Sequence, residues 1–238
     1  MDGIRGVLMR EKISIAIDGP SGAGKSTLAQ MIAERFGLLY IDTGAIYRAV
    51  GLFAMRKGIL SEDEAGVVSL LPAMKLELSH DDTGVQRIFV NGEDVSEEIR
   101  LPEVSIYASR VSAIPDVRAF LLEMQRKFAE QYDVIMDGRD IGTVVLPDAE
   151  LKIFLTASSE ERARRRYQEF CAKGVKTTYE DVLRDIIRRD KNDSGRAVSP
   201  LAPAEDSIVV NTTGNSLADS CDQLAGLVKE RIFHGTSL

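Results

Sequence analysis

The sequence predicts an α/β protein of three layers, with a parallel central sheet between helices, and three observations lead there. Residues 13–17 are apolar and β-branched, and the glycine-rich stretch after them, GPSGAGKST, opens a run with helical spacing. Further along, short apolar runs keep alternating with amphipathic stretches to the end of the chain. Between about residues 72 and 100 the alternation gives way to period two, which predicts a small antiparallel insert.

Gly19, Gly24, Lys25 and Ser26 fall in the order G-x-x-x-x-G-K-[ST]. Glycines let the backbone fold into a nest of inward N–H groups at the positive end of the following helix, which suits the phosphates of a nucleotide. Gly19, Pro20, Ser21, Gly22, Ala23, Gly24, Lys25, Ser26 and Thr27 are therefore the candidate nucleotide-binding residues. Lys25 would reach the β- and γ-phosphates, and the Ser26 hydroxyl would sit on a magnesium ion, with Thr27 as the other hydroxyl in reach. Leu28, Ile32 and Phe36 give the helix an apolar stripe before Gly37 stops it.

Residues 38–41 then read as a short strand, 42–44 as a turn, and the stretch carrying Arg48 as a helix. In the insert, Met74, Leu76 and Leu78 alternate with polar residues, HDDTG supplies a turn, RIFV a returning strand and NG a second turn. Helical spacing resumes at Val117, Phe120, Leu121, Met124 and Phe128. DVIMDGRDIGT next places a strand directly before Asp137, Arg139 and Asp140, at the sheet end where open α/β folds bind ligands.

LKIFLTA is a further strand. Ser158 with Glu161 has the capping-box pattern of a helix start, and that helix contains Arg162, Arg164, Arg165 and Arg166. A second helix begins near residue 178, SIVVNTT gives the last strand, and residues 216–233 a closing helix with Leu217, Cys221, Leu224, Val228 and Ile232 inward.

With 238 residues, 44% of them hydrophobic and 28% charged, the chain suits one compact unit. No run approaches the ~18 to 20 apolar residues of a membrane helix, and MDGIRGVLMREK lacks the apolar centre of a signal peptide, so the expected location is the cytoplasm, with no membrane partner. The formal charge of −7 speaks against nucleic-acid binding. Cys171 and Cys221 give no metal or disulfide framework, and His80 and His234 fall in expected loop and tail segments with no catalytic setting. No long apolar surface helix demands a partner, so a monomer is expected.

A phosphate loop alone serves switches, motors, transporters and kinases alike. The chain has neither an N-K-x-D tetrad nor an L-S-G-G-Q stretch, but it is rich in arginine, at Arg48, Arg110, Arg118, Arg139, Arg162 to Arg166, Arg188, Arg189 and Arg196. Phosphoryl transfer between two anions needs such cations, because donor and acceptor phosphates repel until positive forks lie between them. An acceptor phosphate, with a second pKa near ~6, brings a nucleophile already ionised at neutral pH. The alternative for each arginine is a solvated helix face with i,i+4 pairs, such as Asp185 with Arg189. Asp137 either sits near the metal or holds the turn at Gly138.

IDGPSGAGKST, YIDTGAIYRAV, NGEDVSEEIR, MDGRDIGTVVLPDAELKIFL, SSEERARRR and RAVSPL resemble the successive motifs of the bacterial cytidylate kinases, in that family's order and from about residue 12 to 235. The resemblance implies a P-loop NTPase three-layer fold of the nucleoside-monophosphate-kinase kind, with a core of about 12–42, 130–157 and 205–235. It also implies a monophosphate-binding region of about 43–129 that carries the antiparallel insert, and an arginine-rich helical lid of about 158–200. It implies transfer of phosphate from ATP, with Mg2+, to the small-molecule substrates CMP and dCMP. Thr43, Arg48, Arg139 and Arg196 match positions that hold the acceptor phosphate, Arg189 and Asp193 positions near its ribose, and Ser109, Arg118 and Asp140 the positions that read cytosine. Lys25, Arg139 and Arg196, with lid groups Arg162, Arg165 and Arg166, would act on the transferring phosphate. Ser26 and Thr43 stand where other members carry Gly and Ser, and each keeps a hydroxyl.

Overall fold

A computed structural model describes residues 12–82 and 84–233. The chain opens with β1 (Ser14–Asp18), α1 (Lys25–Phe36), β2 (Leu39–Asp42) and α2 (Thr43–Arg56), and α3 (Glu64–Leu70) leads into β3 (Leu76–His80), β4 (Gln86–Val90) and β5 (Glu93–Asp94). There follow α4 (Pro102–Val111), α5 (Pro115–Gln131), β6 (Val134–Gly138) and β7 (Leu151–Thr156), then α6 (Ser159–Ala172), α7 (Tyr179–Ser194), β8 (Ile208–Asn211) and α8 (Leu217–Ile232). Five strands form a parallel sheet in the order β2-β6-β1-β7-β8, and β3, β4 and β5 form a separate antiparallel sheet, as the sequence predicts.

A strand turns successive side chains to opposite faces, and a sheet covered on both sides must therefore be apolar throughout. Ala16, Ile41, Val134 and Met136 join α2, α4 and α5 in one core, whereas Ile15, Ile17, Ile135 and Ile153 join α1 and α8 in the other. In the second core Leu28, Ile32, Cys221 and Leu224 are buried, and Phe36 closes the rim by stacking on Phe233, centroids 5.6 Å apart. Helices α6 and α7 share a small core of their own, built on Ala163, Val182 and Ile186. No helix among the described residues is long and apolar enough to cross a membrane.

Four local expectations are corrected. Residues 42–44 are not a turn: the Asp42 carboxylate accepts the Ala45 N–H at 2.8 Å, so Asp42 is the N-cap and Thr43 and Gly44 already belong to α2. Ser158 caps α6 through the Glu161 N–H at 3.2 Å, but Glu161 turns to Arg164 and Arg165, and the Ser158 N–H donates to Thr213 Oγ1 at 2.9 Å. Leu217, placed inward by helical spacing, is 51% exposed. His80 lies in β3 and not in a loop, whereas His234 and Thr83 of the first insert turn fall outside the described residues.

Candidate active site

Strands β1, β2 and β6 each reach an aspartate at or near the carboxyl end, and Asp18, Asp42 and Asp137 together frame the end of the sheet where a cavity of about 620 Å³ opens. Parallel strands place their outgoing loops on this side, which is why ligand groups gather there. The loop from Ser21 to Thr27 lines the cavity, whereas Gly19 and Pro20 do not. Gly19 has no substitute: a Cβ there would sit 2.0 Å from the Leu155 carbonyl oxygen of β7. Gly24 holds φ at 92°, a left-handed turn that launches α1.

Lys25 is buried, and its ammonium donates to the Pro20 carbonyl at 2.9 Å. Burial, and then the nearby Arg139, pull its pKa below the usual lysine range. The Ser26 hydroxyl donates to Asp137 Oδ2 at 2.8 Å and the Tyr40 hydroxyl to Oδ1 at 3.0 Å. Burial, reinforced by Asp42, pushes the Asp137 pKa up, and the same burial pushes the Tyr40 phenol up. Asp18 accepts the backbone N–H groups of Ile141 and Gly142 at 2.8 and 2.7 Å, so the end of β1 fixes the turn that follows Asp140. Burial outweighs those two bonds and raises the Asp18 pKa to about 6.

Across the cavity the arginines are held by carboxylates. Arg48 pairs with Asp42 at 2.7 Å, and Asp193 takes both Arg139 Nε at 2.8 Å and Arg196 at 2.6 Å. Arg189 pairs with Asp185 at 2.9 Å while still lining the cavity, so the i,i+4 pairing and the cavity position coexist. Burial lowers the Arg189 and Arg196 pKa, although a guanidinium keeps its charge at neutral pH. Thr43 Oγ1 donates to the Asp137 carbonyl at 2.7 Å.

A further wall carries Ser109, Arg118 and Asp140. Arg118 donates to the Asp140 carboxylate and, at 3.0 Å, to the Ser112 carbonyl, and its guanidinium lies 5.5 Å from the centroid of the Tyr47 ring. Burial pushes the Tyr47 phenol up to about 12.

Of the three arginines expected in a lid, Arg165 and Arg166 line the cavity and Arg162 does not. Arg162 is buried behind the phosphate loop, bonded to Asp190 at 3.0 and 2.5 Å, to the Ala157 carbonyl at 2.9 Å and to the Ser21 carbonyl at 3.0 Å. Arg110 and Arg188 lie away from the cavity, paired with Glu62 and Asp185.

The sequence reading missed Asp18, Asp42, Tyr40 and Tyr47, together with Thr212, Asn215 and the exposed Leu217, which also line the cavity. One signal was available for two of them: IAID and LYID, like VIMD, run an apolar strand into aspartate. Leu217 and Asn215 carry no such mark.

A glycine-rich G-x-x-x-x-G-K-S loop facing an arginine-lined wall across one cavity, at the carboxyl end of a parallel sheet, defines a P-loop phosphotransferase. Residues 15–230 match the cytidylate kinase family, and the chain belongs to that family. Among its relatives, the cytidylate kinase of Caldanaerobacter subterraneus subsp. tengcongensis is 55% identical over 201 residues, covering 84% of this chain and 88% of that one. That of Carboxydothermus hydrogenoformans is 49% identical over 214 residues, 90% and 96% of the two chains, and that of Geobacter sp. strain M21 is 46% identical over 229 residues, 96% and 98%. A solved structure of an uncharacterised protein from Eubacterium ventriosum ATCC 27560 is similar in fold alone, with a TM-score of 0.52, 13% identity and coverage of 92% and 100%.

Proposed function

We propose that this chain transfers the γ-phosphoryl group of ATP to CMP and dCMP, with Mg2+, as a monomeric enzyme of the cytoplasm. The observation that carries the reading is the meeting of three different recognition chemistries in one cavity: the loop 21–27, the arginines around Asp193, and the Arg118–Asp140 pair.

The loop N–H groups and Lys25 receive the donor phosphates, and Leu217 offers an apolar surface at the donor end. Arg48, Arg139 and Arg196 receive the acceptor phosphate, with Arg189 and Asp193 beside its ribose. Cytosine presents an N4 amino group to Asp140 and its O2 and N3 acceptors to Arg118, whose five N–H donors exceed its bonds within the chain. Uracil would set an oxygen against the carboxylate, and Ser109 completes this wall.

Ser26 Oγ and Asp137 are hard oxygen groups side by side, 2.8 Å apart, a pair that suits Mg2+ held partly by nucleotide phosphates and water. When bound, the ion neutralises charge on the β- and γ-phosphates. An acceptor-phosphate oxygen forms the new bond to the γ-phosphorus as the bond to the β,γ-bridging oxygen breaks, and ADP leaves. The acceptor is already ionised, so no basic side chain is required. Lys25, Arg165 and Arg166 face the developing charge and exclude water, while Arg162 braces α6 against the loop and α7.

The test offers CMP, dCMP, UMP, AMP and GMP in parallel with ATP and Mg2+, with Lys25→Ala as control. CMP and dCMP should dominate and the control should be inactive. Equal turnover of UMP would remove the Arg118–Asp140 reading, and ATP binding without any phosphorylated product would remove the acceptor site.

A further inference from the structure

Strand β2 ends the central sheet, and its inner side is engaged by β6, the Leu39 N–H donating to the Asp133 carbonyl at 2.8 Å. Alternate groups on β2, at Tyr40 and Asp42, therefore face outward, where unmet backbone donors and acceptors are costly. Two side chains from the antiparallel insert meet them. The Tyr40 carbonyl can only accept, so His80 Nε2 carries the proton and donates to it at 2.9 Å. The Gln86 carboxamide accepts the Asp42 N–H at 2.9 Å through Oε1 and donates from Nε2 to the Asp42 carbonyl at 3.3 Å. His80 and Gln86 are directly opposite each other at the end of the β3–β4 ladder, and Gln86 is 7% exposed.

The Gln86 amide thus stands in for a peptide group of a neighbouring strand. It does so at a residue with three further duties, because Asp42 caps α2 through Ala45 at 2.8 Å, holds Arg48 at 2.7 Å and sets the backbone from which Thr43 reaches Asp137. We infer that Gln86 is a positioning residue for the acceptor phosphate, acting through Asp42 on Arg48, so that the antiparallel insert is a working part of the acceptor site although Gln86 does not line the cavity. The inference rests on the reading of Arg48 as a phosphate ligand. Glutamate at this position would keep an acceptor for the Asp42 N–H but set its other oxygen against the Asp42 carbonyl. The His80 bond keeps the hairpin attached when the amide is removed.

The experiment compares Gln86→Ala, Gln86→Met and Gln86→Glu in the full chain with Arg48→Ala and with the Gln86→Ala/Arg48→Ala double variant. It reads the KM for CMP, the KM for ATP, kcat and the melting temperature. Gln86→Ala and Gln86→Met, the second of which preserves the buried volume, should raise the CMP KM about five- to tenfold, the scale of one lost hydrogen bond, with the ATP KM within about twofold. Gln86→Glu should do at least as much. Without Arg48 the loss of Gln86 should add nothing to the CMP KM. An unchanged CMP KM, an equal rise with and without Arg48, or a fall in melting temperature with both KM values moving together would each overturn the inference. If Arg48→Ala itself leaves the CMP KM unchanged, the reading of Arg48 fails instead.

Discussion

Ser26 Oγ donates to Asp137 Oδ2 across 2.8 Å, a bond that ties the first turn of α1 to the end of β6. Tyr40 takes the other carboxylate oxygen at 3.0 Å, so the buried carboxylate is aimed from both sides. Asparagine would keep the shape and lose the charge. Asp137→Asn should raise the Mg2+ concentration for half-maximal rate by about tenfold and lower kcat about a hundredfold, while the melting temperature holds or rises because a buried charge is gone. Initial rates across a Mg2+ titration at fixed ATP test this, and an unchanged midpoint would separate Asp137 from the metal.

Asp18 makes stability depend on pH in a definite direction. Its folded pKa of about 6 lies above the ordinary 3.8, so the folded state holds the proton more tightly and the added stability is complete below about pH 4. That stability is lost as pH rises through about 6. Between pH 5 and 7.5 the loss from this one group is about 1 kcal/mol. Asp18→Asn, which offers one acceptor where two N–H groups need partners, should be less stable at both pH values and lack that slope. Urea unfolding at pH 5 and 7.5 decides it: parallel pH responses of the two proteins would refute the assignment.

Arg162 and Arg166 lie on one helix, yet their loss should read differently. Arg162 is buried in its bonds to Asp190, and removing it leaves that carboxylate without its partner, so Arg162→Ala should cost about 3 kcal/mol of stability or more. Arg166→Ala should leave the melting temperature within a few degrees and lower kcat at least tenfold. Thermal melts with single-turnover rates for both variants would expose a reversed order.

Asp140→Asn is expected to lower kcat/KM for CMP by about a hundredfold or more, because the buried Arg118 loses the charge of its partner and the cytosine amino group loses its acceptor. UMP should lose far less, so the CMP to UMP preference narrows. The ratio of the two kcat/KM values is the measurement, and an unaltered ratio would place base selection elsewhere.

Local pattern carries the fold a long way. The apolar run at residues 13–17, the glycines after it and the period-two stretch around Leu76 and Leu78 each describe their own surroundings, and β1, the phosphate loop and the insert form accordingly. The cavity likewise gathers Thr43, Arg48, Ser109, Arg118, Arg139, Asp140, Arg189, Asp193 and Arg196. What spacing does not carry is partnership over long separations. Asp18 meets Ile141 and Gly142 more than a hundred residues away, and no periodicity announces it. Helical spacing puts Arg162 and Arg166 on one face, but the position of Asp190 on α7 draws Arg162 away from the cavity. Asp42 was readable as a cap, and the Thr43–Gly44 pair disguised it as a turn.

Arg48, Arg118, Arg139, Arg189 and Arg196, which line the cavity, each meet a carboxylate of the chain, with Asp42, Asp140, Asp185 and Asp193 as counterparts. If these arginines receive the acceptor phosphate as proposed, one consequence is a filter by size and valence. A long polyanion such as RNA, approaching a chain of formal charge −7, would meet these carboxylates along with the guanidinium groups and gain little. A compact dianion can slip its oxygens onto the remaining N–H donors of arginines already held in place. On that reading the same pairs that keep the forks still would also decide who is admitted.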